Sequence, residues 1–261
     1  LRVAKLASAL RAQGVVPGDR VAAFIPNIEE AVVAMLATTS IGAVWSSCSP
    51  DFGINGATDR IGQIQPKVLF VADGYYYNGK ACDSLQRASA IVESIDSIEL
   101  TVVVPVLSKQ PDLKSIRNGI LFEDFLDDAG TRVQFEQLPF DHPLYIMYSS
   151  GTTGAPKCIV HGAGGSLLQH LKEHQLLLDL KREDVFFYFT TCGWMMWNWL
   201  ISGLASGATL VLYDGSPSAR NGLRLLDAID EEKISIFGTS AKFISALHKA
   251  GHRPCESHNL K

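Results

Sequence analysis

The sequence lacks the marks of several large protein classes. Its five cysteines are an odd number and form no C-x-x-C pair, which favours a reducing compartment, the cytosol. No run of about 20 uncharged apolar residues occurs, so no membrane span is predicted. Residues 1–6 carry charges and no long apolar stretch follows them, so they do not resemble a secretory signal. Lysine and arginine are scattered and the net charge is −4, so no surface for nucleic acid is expected.

The chain does contain enough apolar material for a substantial core, because 47% of its 261 residues are hydrophobic and 19% are charged. Short runs of β-branched and aromatic residues alternate with helical stretches. This βαβ spacing predicts an α/β fold with a parallel sheet and helices on its faces. The predicted strands include residues 21–25, 44–47, 67–71, 101–104, 144–148, 158–161, 185–189 and 234–237. The predicted helices include residues 29–40, 58–65, 83–95, 164–180 and 221–232.

One stretch, Tyr148 to Lys157, has a composition suited to binding phosphate. It reads Tyr-Ser-Ser-Gly-Thr-Thr-Gly-Ala-Pro-Lys and lies between two predicted strands. Glycine lets backbone N–H groups approach an anion, and successive N–H groups in a turn form a concave anion site. Ser149, Ser150, Thr152 and Thr153 add hydroxyl donors, and Lys157 adds a positive charge. The stretch has no carboxylate, so it is not a metal cage by itself. A Gly/Ser/Thr-rich surface turn without a ligand is the alternative.

The spacing of this loop distinguishes it from the Walker A loop, in which a second glycine is followed directly by Lys-Ser/Thr. Here Gly154 is followed by Ala-Pro-Lys. The stretch instead resembles the signature loop of the acyl-adenylating superfamily, which includes acyl-CoA synthetases, luciferases and peptide-synthetase adenylation domains. Its pattern, Ser/Thr-Ser-Gly-[Ser/Thr]-Thr-Gly-x-Pro-Lys, is matched at every position. Within the superfamily the chain is most similar to synthetases of short keto acids.

The resemblance implies stacked, mostly parallel sheets and an ATP-dependent ligase that forms an acyl-adenylate and then an acyl-CoA. ATP, Mg²⁺ and coenzyme A as co-substrate are therefore expected. Three residues are expected to be catalytic: Thr152, Thr153 and Lys157. The residues expected to bind ATP are Ser149, Ser150, Gly151, Thr152, Thr153, Gly154 and Lys157, with Thr239 and Ser240 on a second nucleotide-side loop.

Two further groups are implied by the same resemblance. Gly193 and Trp194 match a Gly-Trp pair that walls the acyl pocket of small-acid synthetases. Met195 departs from the acetate-specific pattern, and a flexible thioether suits a reshaped pocket. Lys80 follows a turn on the coenzyme A side and is a candidate for meeting a phosphate, although an exposed lysine after a turn is usually only solvated.

The resemblance also implies an organisation in which this chain is an internal piece of a large N-terminal domain. Residues 1–108 form a first α/β subdomain, residues 109–143 a linker with an acidic helix, and residues 144–261 a second α/β subdomain with the phosphate loop. The family's Mg²⁺-binding glutamate, ribose-binding aspartate, hinge and C-terminal lysine have no counterparts in the sequence. The C-terminal lid domain is therefore expected to be absent and the piece inactive alone.

Two other function classes remain open. One is a non-catalytic nucleotide-binding module that keeps the loop without the chemistry. The other is a zinc peptidase, because His170-Leu-Lys-Glu-His174 is an H-x-x-E-H string with both histidines on one helix face. A zinc site would need a third ligand from another element, and the sequence nominates none, so no metal ligand is expected.

Overall fold

The computed structural model describes residues 1–149, 154 and 156–260, and the chain divides into two compact units. The first unit comprises residues 1–75 and 81–166, and the second comprises residues 76–80 and 167–261. Within the described ranges, no helix is both long enough and apolar enough to cross a bilayer. The division at residues 108 and 143 that the sequence suggested stays a prediction.

Strands and helices alternate along much of the chain. Over the described positions, the strands are β1 Arg20–Phe24, β2 Val44–Cys48, β3 Val68–Ala72, β4 Gly74–Tyr77, β5 Lys80–Asp83, β6 Leu100–Val104, β7 Gly119–Leu121, β8 Pro143–Tyr148, β9 Cys158–Gly162, β10 Val185–Tyr188, β11 Thr209–Val211 and β12 Ile236–Gly238. The α-helices there are α1 Arg2–Ala12, α2 Glu29–Ser40, α3 Ile54–Ile64, α4 Leu85–Glu93, α5 Phe122–Phe125, α6 Ala163–Leu171, α7 Met195–Ser202, α8 Leu223–Glu231, α9 Ala241–Lys249 and α10 Pro254–Ser257. A π-helix, Lys172–Leu177, continues α6, and two 3₁₀ turns cover Gly203–Ser206 and Ala219–Gly222.

The first unit is built on a seven-stranded sheet with the order β7-β6-β3-β1-β2-β8-β9. All of its neighbouring strands run parallel except the pair β8 and β9. The central strands β2 and β3 are buried along their whole length, as expected for parallel strands covered by helices on both faces. Helices α3 and α4 contribute apolar residues such as Ile61 and Ile91 to a core on one face of this sheet.

A β-hairpin in the first half of the chain was missed by sequence reasoning. Strands β4 and β5 are joined by Asn78 and Gly79, both with positive φ, at 49° and 77°. An Asn-Gly pair is the strongest short-range signal for a tight hairpin turn, because both residues tolerate the left-handed region. The signal was therefore present in the sequence.

The second unit contains a three-stranded parallel sheet with the order β11-β10-β12. Helices α8 and α9 pack Leu225, Leu226 and Phe243 against Phe187 of the central strand. Trp199 and Leu200 of α7 belong to a separate cluster with Phe186. Neighbouring residues of β10 therefore contribute to two different apolar clusters.

The α/β class with mostly parallel sheets and surface helices is confirmed. Helix α3 begins at Ile54, four residues earlier than predicted. Gly56 has a low helix propensity, but the burial of Ala57 in the core stabilises this additional turn. The helix expected over residues 164–180 is instead α6 followed by the π-helix Lys172–Leu177. The acidic helix is only four residues long, with Phe122 buried and Glu123 bound to Arg2.

Candidate functional site

The loop that is predicted to bind phosphate connects two antiparallel strands, β8 and β9, in the first unit. Tyr148 pairs with Cys158 at the last register position. Beyond that pair, the N–H of Ser149 donates to the carbonyl oxygen of Lys157 at 3.0 Å. The N–H of Lys157 donates to the Ser149 side-chain oxygen at 3.2 Å. We call Ser149 and Lys157, joined by these two bonds, the neck of the loop.

Most of the loop itself lies outside the described residues. The predicted ligands Ser150, Gly151, Thr152 and Thr153 belong to this part, so their roles stay predictions. Gly154 is described, and its φ of 109° is a conformation that residues with a side chain rarely adopt. The Lys157 side chain is exposed.

The groups next to the neck, Tyr148 and Cys48, are uncharged and at least partly buried. The Tyr148 hydroxyl is hydrogen-bonded to Ser46 Oγ at 3.0 Å. Burial raises the pKa of Tyr148, and the nearby Cys48 thiol acts in the same direction. Burial also raises the pKa of Cys48 to about 12. Both groups are therefore neutral near pH 7, so they place no negative charge next to a loop that is expected to bind an anion.

Helix α3 supplies contacts to the loop that the sequence did not reveal. Gln63 Nε2 donates to the carbonyl oxygen of Pro156 at 2.9 Å, and Cys158 Sγ lies 3.7 Å from Gln63 Oε1. The guanidinium carbon of Arg60, one turn earlier, lies 6.0 Å from the centre of the Tyr148 ring. A glutamine at the end of an ordinary amphipathic helix carries no sequence signal for such a role.

In the second unit, two groups of predicted site residues follow neighbouring strand ends. Strands β10 and β12 are parallel, and Tyr188 is in register with Gly238. Residues 193–195 follow β10, and residues 239–240 follow β12. The predicted acyl-pocket segment and the second nucleotide-side loop therefore both follow the carboxyl ends of adjacent parallel strands. Ligands of open α/β sheets bind outside such ends.

The three tryptophans of this region differ in their exposure to solvent. Trp194 is 62% exposed at the start of α7, and the following Met195 is 47% exposed. Trp197 and Trp199 are buried core residues. Gly193, Trp194 and Met195 are therefore accessible from solvent, whereas the two later tryptophans have a packing role.

The hydroxyls of Thr239 and Ser240 differ in their surroundings. Ser240 is the N-cap of α9, and its side-chain oxygen accepts a bond from the N–H of Phe243 at 3.2 Å. This cap accounts for a serine at this position without a ligand. Thr239 Oγ1 is buried and has no hydrogen-bond partner in the described part of the chain. Their roles toward ATP stay predictions.

Lys80 is the first residue of β5 and is exposed. Its segment belongs to the second unit, where the N–H of Tyr76 donates to Asp214 Oδ2 at 3.3 Å. This contact attaches the tip of the hairpin to the segment that follows β11. A role for Lys80 toward coenzyme A stays a prediction.

The H-x-x-E-H string lies inside the second unit and takes part in packing. His170 Nδ1 is hydrogen-bonded to Ser202 Oγ at 2.8 Å, and Glu173 Oε2 accepts from the Trp199 indole N–H at 2.8 Å. His174 is completely buried, with its ring 4.5 Å from that of Trp199. Over the residues described, no group of three His, Cys, Asp or Glu side chains is placed to hold a metal ion. The contacts of Glu173 and His170 give the string a structural explanation.

Comparison with known proteins assigns the family. The profile of the AMP-binding enzyme family matches residues 1–261. The chain belongs to this family. It is 54% identical over 261 residues to an acetoacetyl-coenzyme A synthetase of Rhizobium meliloti (strain 1021), with 99% of this chain and 40% of the relative covered. It is 51% identical to the acetoacetyl-CoA synthetase of Gallus gallus, with the same coverage.

A solved structure gives the same result for the fold. The acetoacetyl-CoA synthetase from Streptomyces lividans aligns with a TM-score of 0.93 at 45% sequence identity, covering 99% of this chain and 39% of that one. The resemblance to acyl-CoA synthetases, and within them to acetoacetyl-CoA synthetases, is confirmed. The chain spans about 40% of the length of the relatives that it matches.

Proposed function

We propose that the complete polypeptide carrying this chain is an AMP-forming acid–CoA ligase whose acid is acetoacetate. Relatives that match 99% of the chain include acetoacetyl-CoA synthetases at 50% to 54% identity. The structural observation that carries the proposal is the neck, in which two hydrogen bonds between Ser149 and Lys157 close a Gly- and hydroxyl-rich loop. This loop would hold the phosphates of ATP.

The proposed reaction has two steps. A carboxylate oxygen of the acid attacks the α-phosphorus of ATP, forming acyl-AMP and releasing pyrophosphate. The coenzyme A sulfur then attacks the acyl carbon, and AMP leaves. The first step converts an unreactive carboxylate into an acyl group with a good leaving group.

The chain's contribution to the first step is positioning and charge stabilisation, which dominate phosphoryl chemistry. Ser149 to Thr153 would bind the β- and γ-phosphates through hydroxyl and backbone N–H groups, with Gly154 allowing the turn. Lys157 would offset the charge of the departing pyrophosphate. Thr239 and Ser240 would also bind the nucleotide.

The acyl group would be bound at the carboxyl edge of the β10–β12 sheet. Gly193, Trp194 and Met195 are its proposed contacts, and the exposure of Trp194 supports this role. Coenzyme A would enter near Lys80, whose ammonium group suits a phosphate.

Mg²⁺ is implied by the family, and the residues at the neck do not fit it as ligands. They offer hydroxyl, amide and ammonium groups, whereas Mg²⁺ in proteins is held by one or two carboxylates together with phosphate oxygens and water. These residues would therefore contact the phosphates and not the metal ion.

ATP–pyrophosphate exchange by the complete polypeptide tests the proposal. Acetoacetate, acetate and longer keto acids are supplied in turn, without coenzyme A. We expect exchange that depends on the acid and is fastest with acetoacetate. Exchange with acetate alone would reject the substrate, and ATP binding without exchange for any acid would favour the non-catalytic nucleotide-binding module.

A further inference from the structure

Gln63, in the last turn of α3, binds the end of the loop that leads into β9, and it does so through both polar atoms of its side-chain amide. Nε2 donates to the carbonyl oxygens of Pro156 and Asp59, and Oε1 accepts from the Cys158 thiol. The first of these bonds, at 2.9 Å, joins residues 93 positions apart in the sequence. Asp59 lies in the same helix, so its bond orients the amide toward the loop.

The other end of the loop is held by the same helix. Arg60 places its guanidinium group near the Tyr148 ring and 4.6 Å from the centre of the Phe52 ring. Its NH1 also donates to the carbonyl oxygen of Gly56 at 2.7 Å, which fixes the side chain along α3. Tyr148 immediately precedes Ser149 of the neck. Both ends of the loop are therefore in contact with side chains one turn apart on α3.

These contacts surround Lys157. Its neighbours on both sides, Pro156 and Cys158, bind Gln63, and its own backbone binds Ser149. The lysine side chain is long and exposed, so the position of its backbone sets the region that the ammonium group can reach. Fixing that backbone reduces the conformational freedom that ligand binding would otherwise have to restrict.

We propose that Gln63 is a positioning residue for ATP, which acts by holding Pro156–Cys158 so that Lys157 is oriented toward the phosphates. This inference rests on the proposed function, because it assigns the held lysine to the nucleotide. Gln63 itself touches neither substrate nor reacting atoms. Its effect reaches the ligand through the backbone of the loop.

Three variants of the complete polypeptide distinguish a positioning role of Gln63 from a contribution to the stability of the fold alone. Gln63→Ala removes all three side-chain bonds. Gln63→Glu keeps the size and the acceptor for Cys158, but it places a carboxylate oxygen against the Pro156 carbonyl oxygen. Gln86→Ala removes an exposed glutamine on α4 and is the matched control.

The first measurement is amide hydrogen exchange in peptides that contain Ser149 and Lys157, without any ligand. We expect faster exchange in both Gln63 variants and unchanged exchange in Gln86→Ala. The second measurement is the KM for ATP, which should rise roughly fivefold in both Gln63 variants, equivalent to about 1 kcal/mol. The KM for the acid and the melting temperature should stay close to those of the unsubstituted protein.

Unchanged exchange at Ser149 and Lys157 in both Gln63 variants overturns the proposal. Faster exchange with an unaltered KM for ATP also overturns it, because the held backbone would then not serve the nucleotide. A lower melting temperature with KM values rising equally for acid and ATP assigns Gln63 to stability alone and rejects the positioning role. Absence of ATP–pyrophosphate exchange in the unsubstituted protein rejects the ligase function, and hydrogen exchange then still decides whether Gln63 holds the loop.

Discussion

Ser149 and Lys157 lie eight positions apart, and each donates its backbone N–H to the other. The Ser149 N–H binds the Lys157 carbonyl oxygen at 3.0 Å, and the Lys157 N–H binds the Ser149 hydroxyl oxygen at 3.2 Å. The first bond continues the antiparallel ladder of β8 and β9 by one step. The second replaces a backbone acceptor with a side chain, so the serine hydroxyl decides how the loop is closed.

Ser149→Ala should open this closure. It removes the acceptor for the Lys157 N–H, and a lost hydrogen bond of this kind costs about 1 kcal/mol. We expect the KM for ATP in the complete polypeptide to rise by roughly fivefold with kcat less affected. Steady-state kinetics with ATP as the varied substrate measures this. Ser245→Ala, an exposed serine on α9, is the control and should leave the KM unchanged.

Lys157→Ala should have a larger effect, because it removes a charge as well as a donor. A hydrogen bond to a charged group contributes about 1.5–3 kcal/mol, so pyrophosphate exchange should slow by roughly 10- to 150-fold. Lys249→Ala, an exposed lysine in the last turn of α9, controls for the loss of one surface charge. Exchange kinetics that are identical in the two variants would remove Lys157 from the site.

Substitution of Trp194 should alter the selectivity for the acid, whereas substitution of Trp197 should lower the stability of the fold. Trp194 is largely exposed, so Trp194→Ala should leave the melting temperature unchanged while altering the ratio of kcat/KM for acetoacetate over acetate. Trp197 is fully buried, and Trp197→Ala should destabilise the fold by about 3–5 kcal/mol. Thermal unfolding and acid selectivity, measured on both variants, check the distinction. An unaltered selectivity in Trp194→Ala would mean that this side chain does not line the acyl pocket.

His174 should make the stability of the protein depend on pH. Both of its ring nitrogens are buried, with no hydrogen-bond partner among the described residues. Burial lowers the pKa of His174 to about 4; the neighbouring His170 acts in the same direction and Glu173 opposes them. In the unfolded chain the pKa returns to about 6.5. The unfolded chain therefore takes up a proton below pH 6.5, whereas the folded chain stays neutral until about pH 4.

The contribution of His174 to stability is fully present above pH 6.5 and falls as the pH drops toward 4. Between pH 7 and pH 5 we expect a loss of about 2 kcal/mol in the free energy of unfolding. Denaturant unfolding at several pH values measures it. His174→Leu should flatten this dependence, whereas the exposed His248→Ala should not. An equally steep loss in His174→Leu would assign the effect to other groups.

Much of the fold could be predicted from the sequence because it depends on local periodicity. Strands β1, β3 and β6 are short apolar runs bounded by turn residues, and the structure has all three within one residue of the predicted bounds. Helix α2 has the predicted bounds, with Glu29 and Glu30 at its positive end. Where tertiary packing competes with periodicity the prediction is less accurate, as in the π-helix that follows α6.

The family, the alternation of strands and helices, and the loop between β8 and β9 could all be inferred before the structure was known, because each depends on residue types at fixed local spacing. Three features emerge only in the folded chain: Gln63 binds Pro156, Trp194 is exposed while Trp197 and Trp199 are buried, and Glu173 bonds to an indole. These facts join residues that are far apart along the chain or lie on different faces of one helix. Side-chain contacts of this kind follow from how helices pack on the sheets, and spacing within a short stretch does not contain that information.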